Sequence, residues 1–231
     1  MKYLYGVIFV LLVGCGKGNT SSGELIEQFF KSQGVVTFKT TDENLKNGFA
    51  LNNADGSVFC KVFPMENKIT MGSKTYVLSD YERSKEKYSK MYNFSPRLFY
   101  PQTGFLFQFE LKALKGNRAE VFINTDKTVT KYIKADTSVF NIQSWTQHML
   151  SAIIDFNHQK NPIREQPFDA AKVVDLEEND DLAFSVIRIK DEWIQIECTS
   201  FCDVSCPKKP IRGWIKWKGK ANVLIRFIYS C

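Results

Sequence analysis

GFLFQFELKALKGNRAEVFINTDKTVTKYIK, residues 104–134, decides how this chain is to be folded. Phe105, Phe107, Phe109 and Leu111 fall on one face of a period-two strand, with Gln108, Glu110 and Lys112 on the other. Lys115-Gly116-Asn117 marks a turn, Arg118 to Ile123 a second strand, Asn124 to Lys127 another turn, and Thr128 to Lys134 a third strand. The pattern predicts an antiparallel meander with one buried face.

Outward from the meander, the period changes. Ser144-x-x-Gln147 has the spacing of a capping box, and Trp145, Met149, Ala152, Ile153 and Phe156 follow as an apolar helical stripe that would cover the buried face. Upstream, Ser21-x-x-Glu24 repeats the capping spacing, and Leu25, Ile26, Phe29 and Phe30 continue at helical intervals to the stop at Gly34. Val35 to Thr41, Gly48 to Leu51, Ser57 to Phe63 and Lys74 to Val77 read as strands. Asp80 to Tyr100 fits either a charged helix or an aromatic, basic loop. The expectation is an α+β N-terminal domain over residues 24–157, an antiparallel sheet with two helices.

Beyond Asn157 several short β-favouring runs separated by turns indicate a small all-β unit. Asn161-Pro162-Ile163-Arg164-Glu165-Gln166-Pro167, the segment VIRIKDEWIQIE (Val186 to Glu197), Gly213-Trp214-Ile215 and the run Val223 to Tyr229 are similar, in that order, to elements of bacterial SH3-like domains. The resemblance covers residues 158–231 and implies a small SH3-like barrel with an aromatic groove for peptides, including cell-wall peptides. It makes Trp193, Trp214 and Trp217 the candidate ligand-binding residues, with Trp217, between Lys216 and Lys218, the one expected at the surface. The insert CTSFCDVSCPKKPIR, Cys198 to Arg212, departs from that pattern and carries three cysteines.

The N-terminus supplies an address. Lys2 precedes an uncharged run from Tyr3 to Val13, then Gly14 and Cys15, the layout of a secretory signal peptide. Only fourteen residues separate Lys2 from Lys17, short of the roughly 20 a spanning helix needs. LVGC resembles the lipobox of bacterial lipoproteins, which implies that residues 1–14 are removed. Cys15 would then carry covalent diacylglycerol and a fatty acid, holding the protein to the membrane at the periplasmic or outer surface of a bacterium. Several acyl chains give the stable attachment that one chain does not. Residues 15–23 then form a short Gly- and Ser-rich tether, and the first domain is expected nearest the membrane with the barrel beyond it.

Removing 14 of 231 residues leaves 217, and losing Lys2 lowers the net charge from +6 to +5. With 44% hydrophobic and 24% charged residues the chain has an ordinary globular composition. The acidic cluster Asp175, Glu177, Glu178, Asp180 and Asp181 and the basic cluster from Lys208 to Lys220 read as solvated loops, and an exported lipoprotein points away from nucleic acid. An oxidising compartment predicts disulfides among Cys198, Cys202, Cys206 and Cys231, with connectivity open, and a buried thiol at Cys60. A four-thiolate zinc site is disfavoured by the C-x3-C-x3-C spacing, so no metal or other cofactor is expected.

Catalysis needs a base positioned at a nucleophile. The two histidines are His148, bordering the predicted helix face, and His158, placed in a solvated linker. No glycine-rich phosphate loop or metal-spaced histidine cluster is present. The expected function is non-catalytic: an anchored binding module for a peptide, cell-wall fragment or envelope protein. The alternative is an assembly or toxin-neutralising lipoprotein in which the N-terminal domain makes the contact.

Overall fold

A computed structural model describes residues 21–101, 104–176, 182–208 and 210–229. The signal sequence, Cys15, four of the five acidic-cluster residues and Cys231 lie outside the described residues.

The chain opens with α1 (Ser22–Phe30), and the capping box is formed: Glu24 N–H donates to Ser21 Oγ at 3.2 Å and Ser21 N–H to Glu24 Oε2 at 2.8 Å. Next come β1 (Gly34–Phe38), α2 (Asp42–Asn47), β2 (Phe49–Asn52), β3 (Val58–Phe63), β4 (Lys68–Met71) and β5 (Lys74–Val77). The ambiguous segment resolves into α3 (Tyr81–Tyr92), ended by Asn93 at φ 50°, and a short strand β6 (Leu98–Tyr100). The meander is β7 (Leu106–Lys115), β8 (Arg118–Phe122) and β9 (Thr130–Lys134), as its alternation predicts. β10 (Phe140–Ser144), α4 (Trp145–Leu150), β11 (Ile153–Phe156), β12 (Phe184–Lys190), β13 (Trp193–Cys198), β14 (Arg212–Lys216) and β15 (Ile225–Ile228) complete the chain.

Two antiparallel sheets result. The first has ten strands in the order β10-β1-β7-β8-β9-β2-β3-β4-β5, with β6 added on β7. The second has five, in the order β14-β13-β12-β11-β15. This overturns the expectation of an α+β domain with two helices followed by an SH3-like barrel. The described chain is mostly β, and its four helices are short.

Local physics explains where the reading failed. The stripe from Trp145 to Phe156 is not one helix: α4 stops at Leu150, Ser151 N–H closes back on Gln147 and His148 carbonyls, and the β-branched pair Ile153-Ile154 continues as β11. β11 lies between β12 and β15, so the second sheet begins ahead of residue 158 and borrows a strand from the expected first domain.

Both helices assigned to the first sheet instead fill the core of the second. Ile26 and Phe30 of α1 and Trp145 and Met149 of α4 join Phe184, Ile194, Ile215 and Trp217. The first core is separate and rich in phenylalanine, with Phe38, Phe49, Phe107, Phe109 and Phe140 in mutual edge or tilted contact. β1 serves both, sending Val36 and Phe38 into the first core and Val35 into the second. Gly34 permits this sharing, because a Cβ there would lie 2.0 Å from the Gln143 carbonyl oxygen. Gly213 is needed for the same kind of reason: its Cβ would meet Ile163 Cγ2 at 2.4 Å.

Candidate functional site

The first part of the polar face of β7 does not meet solvent: Gln108 is fully buried and Glu110 largely so, both turned toward the second core, whereas Lys112 further along is exposed. Four segments converge on the buried part: the loop before β6 brings Arg97, the β8–β9 turn Lys127, α4 brings His148, and the end of β15 Tyr229.

The polar groups in this seam are paired. Arg97 Nε donates to Gln108 Oε1 at 2.8 Å, and Gln108 Nε2 donates to Thr37 Oγ1 at 2.9 Å. Glu110 accepts from Ser32 Oγ at 2.6 Å, pairs with Lys127 Nζ at 2.6 Å and lies 3.6 Å from Arg97 Nη1. Lys127 also donates to the carbonyl of Phe30, the last residue of α1, where the helix dipole favours a cation. Trp145 Nε1 donates to Ser32 Oγ at 2.9 Å. The Arg97 guanidinium lies 4.8 Å from the Trp145 ring centre and 5.6 Å from that of Phe227.

His148 sits beside this set, 6% exposed. Burial first, and the Arg97 charge second, push its pKa down to about 4, so the ring is neutral at pH 7. A neutral imidazole has one N–H. The Tyr229 hydroxyl donates to Gln108 Oε1, so the imidazole N–H sits on Nε2 and donates to the Tyr229 oxygen at 3.1 Å, with Nδ1 3.3 Å from Gln143 Oε1. Burial holds the Tyr229 phenol above its ordinary pKa. Tyr229 also reaches Gln108 Oε1 at 3.3 Å, which ties the two sheets together.

At the outer edge of the seam is an open groove of about 490 Å³. Leu98 and Tyr100 of β6 and Leu106 of β7 form one wall; Phe227, Ile228 and Tyr229, with Arg226, form the other. β15 is the last strand of its sheet, and β6 pairs only with β7. Tyr100 is 41% exposed. The groove is therefore largely apolar and flanked by strand edges, and Tyr229 is the lining residue it shares with the hydrogen-bonded network.

The sequence-predicted tryptophans lie elsewhere. Trp193, Trp214 and Trp217 are all buried, and Trp217, expected at the surface, is fully so. Its Nε1 donates to the Asp191 carbonyl at 2.8 Å, and its ring meets Phe29 at 5.1 Å, because α1 returns to cover it. Trp193 borders a shallow cavity of about 360 Å³ with Phe168, Asp169 and Glu192, and Lys216 Nζ lies 5.1 Å from its ring centre while pairing with Asp169. The three indoles thus do not form one exposed groove.

The oxidised cysteines are partly assigned: Cys198 is bonded to Cys206, and Cys202 is also disulfide-bonded. Cys60 is a buried free thiol, pushed up to about 12 by burial. His158 is not solvated, since both ring nitrogens are buried without a hydrogen-bond partner and the ring packs 4.6 Å from Phe156. Among the described residues no three His, Cys, Asp or Glu side chains are placed to hold a metal ion, and no helix is long and apolar enough to cross a membrane.

Arg97, Gln108, Glu110, Lys127 and Tyr229 were not singled out by sequence reasoning. One signal was available: Val35-Val36, two adjacent apolar residues in a strand, which marks a strand buried on both faces. No family model matches the chain, and no curated protein or solved structure is significantly similar to it.

Proposed function

We propose that this protein is an acylated envelope lipoprotein, non-catalytic, that binds an extended apolar segment of an envelope protein in the groove between β6 and β15. The observation that carries the binding role is the groove itself: apolar walls beside the terminal strand of a sheet, which offers backbone N–H and C=O groups for strand addition while side chains enter the groove. The LVGC sequence at Cys15 supports the anchor. A cell-wall peptide fits less well, because among the described residues Arg226 is the only charged side chain of the walls and Asp155 already pairs with it.

The non-catalytic reading is supported by His148. It is neutral and enclosed, and its partners are an amide and a phenol rather than a nucleophile. A photoreactive residue at Tyr100 in intact envelopes tests the binding role. It is expected to crosslink a discrete protein, with the yield falling when Leu106 is changed to Asp. Equal crosslinking from Lys74, on the far edge strand β5, or none from Tyr100, would overturn it.

A further inference from the structure

The start of the described chain is fixed to the second sheet. α1 buries Ile26 and Phe30 in the second core, Lys218 Nζ lies 5.6 Å from the Phe29 ring centre, and Ser22 Oγ accepts the Asp191 N–H at 3.1 Å in the turn between β12 and β13. That turn is itself held, since the Asp191 carbonyl takes the Trp217 indole N–H and the Glu192 carbonyl the Trp217 backbone N–H at 3.0 Å. Cys15 is six residue steps from Ser21, a reach of at most about 22 Å. β5 is seven strands along the first sheet from β1, up to about 34 Å at the usual strand spacing before any twist.

We infer that the end of the second sheet carrying the β12–β13 turn lies against the lipid surface, with the β5 edge of the ten-stranded sheet held away from it. This rests on acylation of Cys15 and reverses the order expected from sequence, in which the N-terminal domain sat next to the membrane. The reversal follows from where the chain enters, because the first folded residues belong to the second core. The charges around the entry point are mixed: Glu24, Glu27, Asp191 and Glu192 stand with Lys190 and Lys218. The acyl chains and the short reach, rather than attraction to anionic headgroups, therefore set the orientation.

The test uses the full acylated chain in phosphatidylcholine vesicles containing a headgroup-quencher lipid, with a fluorophore at Lys190 or at Lys74, both exposed. The label at Lys190 is expected to lose most of its fluorescence and the label at Lys74 to keep it. Loss at Lys74 alone, equal loss at both, or loss at neither while the protein stays vesicle-bound overturns the orientation. Mass spectrometry of the same sample separates the premise: protein lacking acyl chains at Cys15 removes the anchor and the orientation with it, whereas acylated protein with the wrong quenching pattern refutes the orientation alone.

Discussion

The two faces of β7 are built on opposite principles. Phe107 and Phe109 enter a dry, aromatic core where any apolar neighbour of suitable size will serve. Gln108 and Glu110, one residue out of phase, enter a seam where each group depends on a specific partner. An apolar face tolerates approximate partners. A buried polar face does not, because an orphaned donor or acceptor costs more than its hydrogen bond contributes.

The largest effect is expected in the dry core. Phe107→Ala should cost about 3–5 kcal/mol in urea unfolding, with the loss independent of pH. A loss that varied between pH 4 and 7 would blur the distinction between the faces. The seam should instead respond to acid. The folded-state pKa of His148 lies below its unfolded value of 6.5, so the unfolded chain takes up the proton first. Stability is full above pH 6.5, falls as pH drops through the window from 6.5 to about 4, and flattens below that, with a total loss of about 3 kcal/mol. His148→Asn should remove that part of the pH dependence, and an unchanged profile would show that other groups set it.

Glu110→Gln keeps the shape but removes the charge facing Arg97 and Lys127, and should cost about 2 kcal/mol. Added salt should shrink that difference only slightly, because the carboxylate is largely buried. The smallest effect belongs to neither face: Ser144→Ala removes the cap of α4 and should lower stability by about 1 kcal/mol, read as a shift in the urea midpoint.

What could be read from sequence was local. Both capping boxes, the β7 alternation and the meander turns depend on residues a few positions apart, and all are present. β4, Lys68–Met71, escaped although β2 and β5 are no longer than it. The seam was hidden for a different reason: Arg97, Gln108, His148 and Tyr229 come from four separate segments, and none looks buried alone. Trp217 was misplaced because its cover, α1, lies at the other end of the chain. Burial of a polar strand face, or of an indole between two lysines, is a property of the partner rather than of the residue.

The hydrogen bond from Asp191 to Ser22 joins residues 169 apart. At a synthesis rate of 5–20 residues per second, α1 waits roughly 10–30 s for the strands that bury Ile26 and Phe30. The ten-stranded sheet, whose residues emerge in between, is free to form meanwhile. Such non-local closure is slow in itself. The second core is thus the last part of the molecule to close, and the apolar side of its N-terminal helix is the surface that stays uncovered longest.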